Sequence, residues 1–306
     1  MRKNSQTLTT QSIPALIKQL AIPASIGMFF NTMYNVVDTF YAGLISTQAI
    51  SALTLSFMIF FLIIGFGYGF SSAITALLGN ALGKKRYKLA SIYAHKGLIF
   101  VPLIGLTLSI IGYFFAPSLF MFLGAKDEYL QISLDYINPI LFGAIFFMFN
   151  FSLNSILIAT GDTKTYRNSL IFGFFANLAL NPLFMYGFLF VPAMGIKGIA
   201  FATVLIQIIN MFYLFYKVLQ TKLIHFDKLE YFIPNLRIYK LFFTHGIPSS
   251  LNMLTMAIGS LILTYFVSHY GIQAVAGYGI GYRVEQLMLL PALGLSTAVL
   301  ALVSNN

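Results

Sequence analysis

Long apolar runs recur along this sequence, and they constrain its fold more than any other feature. Runs such as 94–115 and 198–216 hold about 20 mostly apolar residues, which is the length that a helix needs to cross a lipid bilayer. They do not alternate between polar and apolar residues, as the strands of a membrane barrel do. Apolar residues make up 58% of the chain and charged residues 8%, with a mean hydropathy of +0.84, whereas soluble domains carry about a quarter charged residues. The sequence therefore predicts an all-α polytopic membrane protein.

The apolar runs and the polar turns between them predict eight membrane helices. Ser12 and Pro14 mark the start of the first helix, as N-cap and first-turn proline. Pro117 is expected to end the third helix, and the longest polar connection runs from Lys217 to Lys240. The predicted bounds are 13–43, 49–79, 94–115, a fourth helix that runs unbroken to about 159, 169–188, 198–216, 243–269 and 273–303.

The sequence also contains a duplication. Pro248 follows Pro23 by 225 residues, and the same offset aligns the two segments without a gap as far as Asn80 and Asn305. A constant offset over about sixty residues indicates an internal repeat rather than shared hydrophobicity. Six helices, an even number, separate the two copies, so the copies have the same orientation and form a parallel repeat about an axis along the membrane normal. Identical pairs include Ser25/Ser250, Met28/Met253, Thr39/Thr264, Gly69/Gly294, Ser71/Ser296 and Ala73/Ala298.

The repeat divides the chain into a complete six-helix lobe at 1–218, a cytoplasmic linker at 219–242 and the first two helices of a second lobe at 243–306. In the first lobe, four more helices follow the repeated segment, so a second lobe of the same design needs six helices. We therefore expect the chain to be a truncated or split product that does not transport alone. For a split product, the expected partner is a separate chain that supplies the remaining helices.

Basic residues are distributed unevenly between the predicted loops. Of the 18 lysines and arginines, fifteen lie on the side of the two termini, and only Lys126 and Lys197 lie in the opposite loops. This is the positive-inside pattern, and it predicts that both termini are in the cytoplasm and that the membrane is the cytoplasmic (inner) membrane. It also accounts for the net charge of +10, so nucleic-acid binding is not expected. The absence of cysteine excludes disulfides and thiolate metal sites.

Five motifs then occur in a fixed order along the chain. They are Asn31-x-x-Tyr34-Asn35-x-x-Asp38, Gly65-x-Gly67-x-Gly69 with Gly79-Asn80, Ala159-Thr160-Gly161-Asp162-Thr163, Asn177-x-x-x-Asn181-Pro182, and Arg283-x-Glu285 with Pro291 and Gly294. The glycines lie inside an apolar helix, so they predict close helix packing rather than a phosphate loop. In order and spacing, the motifs resemble the multidrug and toxic compound extrusion (MATE) family over the whole chain. Met256 stands where NorM-type members carry a glutamate, so the resemblance is to the DinF-like branch. The resemblance implies twelve helices in two lobes, a cavity between them, and drug export driven by proton or sodium entry.

Asp38 is the one carboxylate embedded in the apolar segments of the first 200 residues. A charged residue at a helix centre costs about 2.5–3.5 kcal/mol, so one that is present faces a cavity or a partner. Away from water a carboxyl group favours its neutral form, which suits a proton-coupled carrier. The alternative is that Asp38, five residues before Gly43, reaches interfacial water. The resemblance makes Asp38 a coupling-ion residue, for H⁺ or for Na⁺.

Other polar residues complete the predicted sites. Asn177 and Asn181 lie one helical turn apart and share a face, and by resemblance they form the cation-coupling set with Asp38 and Thr203. DinF-type members carry aspartate at the position of Asn181, so this chain lacks their second charge. Alternatively, the two asparagines only join helices through hydrogen bonds. The residues predicted to line the substrate cavity are Tyr34, Asn35, Asn150 and Asn154.

We therefore predict a cation-coupled antiporter that exports amphipathic, cationic drugs or toxic compounds, with no cofactor. Its expected partners are a drug-like small molecule and the lipid bilayer. No metal-ligand spacing and no pairing of a nucleophile with a base occurs in the helices, so an enzyme is not expected. Arg283 and Glu285 point about 200° apart on a helix, so each needs its own partner or a cavity. One alternative is a lipid-linked oligosaccharide flippase of the same superfamily. Such flippases line their cavity with arginines, whereas Arg283 is the only intramembrane arginine here. The other alternative is a transport-inactive fragment.

Overall fold

The computed structural model describes residues 12–188, 191–227 and 229–305, and its regular structure is helical. Within these ranges no strand occurs, and Phe188 and Val191 form one isolated bridge. A short 3₁₀ helix spans Leu229–Tyr231. The helices are α1 (Ile13–Ile45), α2 (Thr47–Gly83), α3 (Tyr87–Phe122), α4 (Asp127–Phe142), α5 (Ala144–Ala159), α6 (Lys164–Tyr186), α7 (Ile196–Leu219), α8 (Leu236–Ser268) and α9 (Ile272–Asn305).

The helices are long enough for a multi-pass membrane protein. Six of those described, α1, α2, α3, α6, α7 and α8, can each cross a membrane by length and composition. Two further spans are bent: α4 meets α5 at 46°, and the halves Ile272–Glu285 and Leu290–Asn305 of α9 meet at 52°. The described part of the chain thus holds up to eight spans, and the predicted all-α membrane fold is confirmed.

Prolines act differently from what the sequence predicted. The fourth predicted helix is not continuous, because α4 ends after Pro139, and the N–H of Gly143 donates to the Pro139 carbonyl at 2.9 Å. The prediction that Pro117 ends the third helix is also wrong, since α3 continues to Phe122. Apolar surroundings favour helix because free backbone groups find no water there. The neighbouring Ala116 and Phe120 are fully buried, and they hold the turn around Pro117 in place.

Helix starts show smaller differences. Ser12 occupies the N-cap position of α1, but its side chain makes no capping hydrogen bond. The seventh predicted helix starts earlier than expected, because the Asn235 side chain accepts from the N–H groups of Arg237 (3.0 Å) and Ile238 (3.3 Å) and so caps α8. The last residues of the predicted linker, 236–242, are therefore helical.

The duplication is visible in the packing. Gly69 lies against Ser250 and Gly294 lies against Ser25, and the 225-residue offset converts one pair into the other. Two further contacts join equivalent positions directly, Thr54 to Gly279 and Gly79 to Ser304. Self-paired positions mark a two-fold axis. Each self-pair joins α2 to α9, and the two pairs lie 25 residues apart along both helices. The axis therefore runs along these spanning helices, which confirms the parallel repeat.

The central helix of the bundle is α2, which contacts α3, α4, α5, α8 and α9. Its glycines permit this. A Cβ at Gly67 would collide with the ring of Phe151, and one at Gly65 would touch Met253 and Leu254. The predicted close packing of this glycine motif is confirmed.

The connection between α7 and α8 lies on the end of α3. Ser91 Oγ donates to the Leu223 carbonyl at 2.6 Å, and the N–H of His225 donates to His95 Nε2 at 3.0 Å. The Lys96 ammonium group donates to the carbonyls of Glu230 and Ile233. Lys228, which the sequence places on the cytoplasmic side, lies outside the described residues.

Candidate functional site

Asp38 lies in the interior of the bundle, where α1 meets α6 and α7, and its residue is only 3% exposed. Its Oδ1 accepts hydrogen bonds from the amide groups of Asn177 and Asn181, both at 2.8 Å. Its Oδ2 accepts from the Thr203 hydroxyl at 3.4 Å. The structure therefore brings together all four residues predicted for cation coupling, while their role in coupling remains a prediction.

The local sequence explains this geometry. Asn177 and Asn181 lie one turn apart on α6, and Asn181 Nδ2 also donates to Asn177 Oδ1 at 3.1 Å. Gly173, one turn earlier, leaves room for α7, since a Cβ there would stand 3.3 Å from Ile206. The alternative that Asp38 reaches interfacial water does not fit its burial. The other alternative, that both asparagines join helices through hydrogen bonds, also holds. They link α6 to α1 by donating to the Asp38 carboxylate.

One buried oxygen of the cluster is unpaired. Within the described part of the chain, Asn181 Oδ1 is buried without a hydrogen-bond partner. Intramembrane carboxylates commonly carry protons, and backbone or side-chain oxygens hold Na⁺ in transporters. A 180° rotation of an asparagine side-chain amide places its oxygen acceptor where its N–H donors were. The cluster can therefore accept a proton on Asp38 or present several oxygens to a small cation.

A cavity of about 350 Å³ opens beside this cluster, and its lining comes from α1, α2, α4, α5, α6 and α7 together with α8 and α9. Asp38 and Thr203 reach its wall, whereas Asn177 and Asn181 lie behind the carboxylate. All four residues predicted to line a substrate cavity do line it, namely Tyr34, Asn35, Asn150 and Asn154. Substrate binding by these residues is not established by their position and stays a prediction.

The sequence analysis missed several cavity residues. Gln207 and Asn210 of α7 line the wall, and Asn150 Nδ2 donates to Gln207 Oε1 at 2.8 Å. The sequence spacing could have identified Asn210. It lies seven residues, or about two turns, after Thr203, and it is therefore on the same face of the helix. The aromatic part of the wall includes Phe57, Phe60, Phe61, Tyr136 and Phe147.

Arg283 approaches the same region from α9. The residue is 6% exposed, its Nη1 donates to the Gly279 carbonyl at 2.9 Å, and its guanidinium stands 5.7 Å from the centre of the Phe57 ring. Its charge interacts electrostatically with Asp38. Glu285 is exposed. The prediction that Arg283 and Glu285 do not pair with each other is confirmed.

Acidic and histidine side chains do not gather into a metal centre in the described ranges. No group of three or more His, Cys, Asp or Glu side chains is close enough there to hold a metal ion.

Comparisons with known proteins agree on one family. The family model described as MatE matches residues 23–183 and 248–306. The chain is 30% identical to the probable multidrug resistance protein YoeA of Bacillus subtilis (strain 168), over 98% of this chain and 66% of that protein. It is 24% identical to the FAD transporter of Shewanella oneidensis, over 99% of this chain and 67% of the relative.

A solved structure gives the same picture. The outward-facing conformation of a multidrug resistance MATE family transporter of the MOP superfamily superposes with a TM-score of 0.85 at 28% identity. The superposition covers 98% of this chain and 66% of that one. The chain thus spans about two thirds of the length of the proteins that it matches.

Proposed function

The chain belongs to the MatE family, and from this premise we propose that it serves in a cation-coupled antiporter that exports amphipathic, cationic compounds. The observation that carries the proposal is the buried carboxylate of Asp38 at the wall of the cavity, held by neutral donors. Among the described residues no basic side chain pairs with it directly, so its negative charge is available to a proton, a sodium ion or a cationic substrate.

Competition for this one charge provides the coupling. A cationic compound in the cavity is attracted while Asp38 is ionised, and the attraction is lost when a proton or Na⁺ neutralises the carboxylate. By thermodynamic linkage, if the compound lowers the affinity for the ion, the ion lowers the affinity for the compound by the same factor. Binding of the incoming ion then promotes release of the compound.

The wall of the cavity suits an amphipathic substrate. Aromatic rings such as Phe57 and Phe147 offer apolar faces that also attract cations, while Asn154 and Gln207 offer hydrogen bonds. One relative is named a multidrug resistance protein and another an FAD transporter. FAD is an anion, so it serves as the comparison substrate that this proposal expects to be rejected.

The location follows from the charge pattern. We propose that the helices span the cytoplasmic membrane with the basic 80s and 160s loops inside the cell, which agrees with the exposure of Lys85 and Lys164.

Transport in membrane vesicles tests the proposal. This test decides for or against the sequence-based expectation that the chain does not transport alone. If the chain is active, vesicles containing the wild-type chain move a lipophilic cationic dye when a pH or sodium gradient is imposed, and leave FAD unmoved. Asp38→Asn should abolish the movement, because it keeps the shape of the side chain and removes its charge. Asp127→Asn is the matched control, since Asp127 is exposed and does not line this cavity. Equal dye movement in wild type and Asp38→Asn contradicts the proposal, and no movement by either chain favours the transport-inactive alternative.

A further inference from the structure

A second cavity of about 680 Å³ lies on the lateral surface of the bundle, between α3, α4 and α7. We call it the lateral groove, and it shares no lining residue with the central cavity. It lies where the fourth span breaks after Pro139. Its lining includes Ile110, Tyr113, Phe114, Asp135, Phe142, Lys197 and Phe201.

The walls of the lateral groove are apolar and open. Phe142 is 82% exposed and Phe114 is 72% exposed, and Tyr113 and Phe201 are also exposed. In a chain that spans a membrane, such side chains face acyl chains rather than water. The groove therefore suits the hydrocarbon part of a lipid.

One ion pair stands among these apolar walls. Lys197 Nζ lies 3.2 Å from Asp135 Oδ1, and this is the one salt bridge between residues that the structure describes. Asp135 Oδ1 also accepts from Gln131 Nε2 at 2.8 Å. Among the described residues, Asp135 Oδ2 has no hydrogen-bond partner. An ammonium group carries three protons, so Lys197 keeps donors free as well.

We propose that the lateral groove binds one phospholipid whose headgroup carries both a phosphate and a primary ammonium, namely phosphatidylethanolamine. The phosphate accepts from Lys197, the ammonium donates to Asp135 Oδ2, and an acyl chain lies against Phe114 and Phe142. Charge complementarity selects this headgroup. A purely anionic lipid meets the carboxylate of Asp135, and a choline headgroup has no N–H to donate. The inference does not rest on transport.

Native mass spectrometry of the full chain tests the inference. The purified protein is incubated with an equimolar mixture of phosphatidylethanolamine, phosphatidylcholine and phosphatidylglycerol with identical acyl chains, and the retained lipids are counted. Wild type is expected to retain phosphatidylethanolamine about tenfold over the other two, the effect of one or two charge-assisted hydrogen bonds. Lys197→Gln should lose this preference, and Lys197→Arg should keep it.

Lys126→Gln is the matched control, because it removes the other basic residue of the opposite loops and lies outside the groove. Lys197 is half exposed, with 49% of its side chain accessible, so its replacement leaves the fold intact. The inference is overturned by equal retention of phosphatidylethanolamine in wild type and Lys197→Gln. It is equally overturned if wild type prefers phosphatidylglycerol or phosphatidylcholine, or retains no lipid.

Discussion

Asp38 is held by amide and hydroxyl donors, and this distinguishes it from a carboxylate in a salt bridge. Asn177, Asn181 and Thr203 satisfy its oxygens without cancelling its charge. The positive charge of Arg283, which comes from the second copy of the repeat, interacts with it electrostatically but does not form a salt bridge with it. The net charge of the site therefore changes when a proton or cation binds, as ion coupling requires.

Replacing Asn181 by aspartate tests how the cluster handles cations. Asn181→Asp keeps the size of the side chain and places a second carboxylate beside Asp38, so the two negative charges repel unless a cation lies between them. We expect sodium binding to tighten about tenfold, measured with radioactive sodium on the purified chain. Asn138→Asp, at the lateral groove, is the control. Sodium affinity that stays at the wild-type value contradicts this view of the cluster.

At the scale of helices, the two copies of the repeat cross through glycines. A Cβ at Gly294 would stand 2.9 Å from the backbone nitrogen of Ser25 and 3.0 Å from the Ala21 carbonyl oxygen. Backbone atoms cannot rotate away, so α1 and α9 must separate. Gly294→Ala should lower the free energy of unfolding by about 1–3 kcal/mol, seen as a lower thermal midpoint in detergent.

Gly259→Ala is the matched control for that change. Nothing lies within 4 Å of a Cβ at Gly259, and alanine favours helix over glycine by about 1 kcal/mol. The equivalent change in the first copy, Gly69→Ala, meets Ser250 and should act like Gly294→Ala. A thermal midpoint for Gly294→Ala as high as that of Gly259→Ala would show that α1 and α9 are not closely packed at Gly294.

The connection between the two lobes is hydrogen-bonded to α3, and the loss of these bonds should expose its backbone to hydrogen exchange. His95 is fully buried, its Nδ1 lies 2.7 Å from the Ser91 carbonyl, and its Nε2 accepts from the N–H of His225. His95→Ala leaves that N–H without a partner at a cost of about 1–3 kcal/mol. Hydrogen exchange at the His225 amide should become tenfold or more faster, while His269→Ala, an exposed position, should leave it unchanged. Unaltered exchange in His95→Ala would mean that other contacts hold the connection.

Much of the molecule was predictable from its sequence, for identifiable reasons. The repeat followed from a constant offset, and the Asp38 cluster followed from motif spacing together with a family resemblance. The bend after Pro139 was not predictable, because Pro117 has the same local chemistry and leaves α3 intact. Only the packing around each proline separates the two cases. The approach of Arg283 to Asp38 likewise depends on how α9 packs, which no local pattern encodes.

Orientation is the property of the whole molecule that charge distribution predicts. Since the chain has no cysteine, single cysteines at Lys85 and Lys164 should react only with thiol reagents that enter the cell. Cysteines at Lys126 and Lys197 should react from outside, because all four positions are exposed. Labelling in intact cells and in inverted vesicles is the measurement. Reaction of Lys164→Cys with an impermeant reagent in intact cells would reverse the orientation or change the number of spans.

If one carboxylate exchanges an ion for a cationic compound, the ion must leave the protein when the compound binds, and this release can be measured directly. The purified chain is titrated with a lipophilic cationic dye in weak buffer, and released protons and displaced radioactive sodium are counted. We expect about one ion, proton or sodium, to be released per dye bound to the wild-type chain, and none from Asp38→Asn. Asp127→Asn, at an exposed position outside both cavities, should match the wild type. Dye binding with neither ion released, or equal release from Asp38→Asn, would contradict the account.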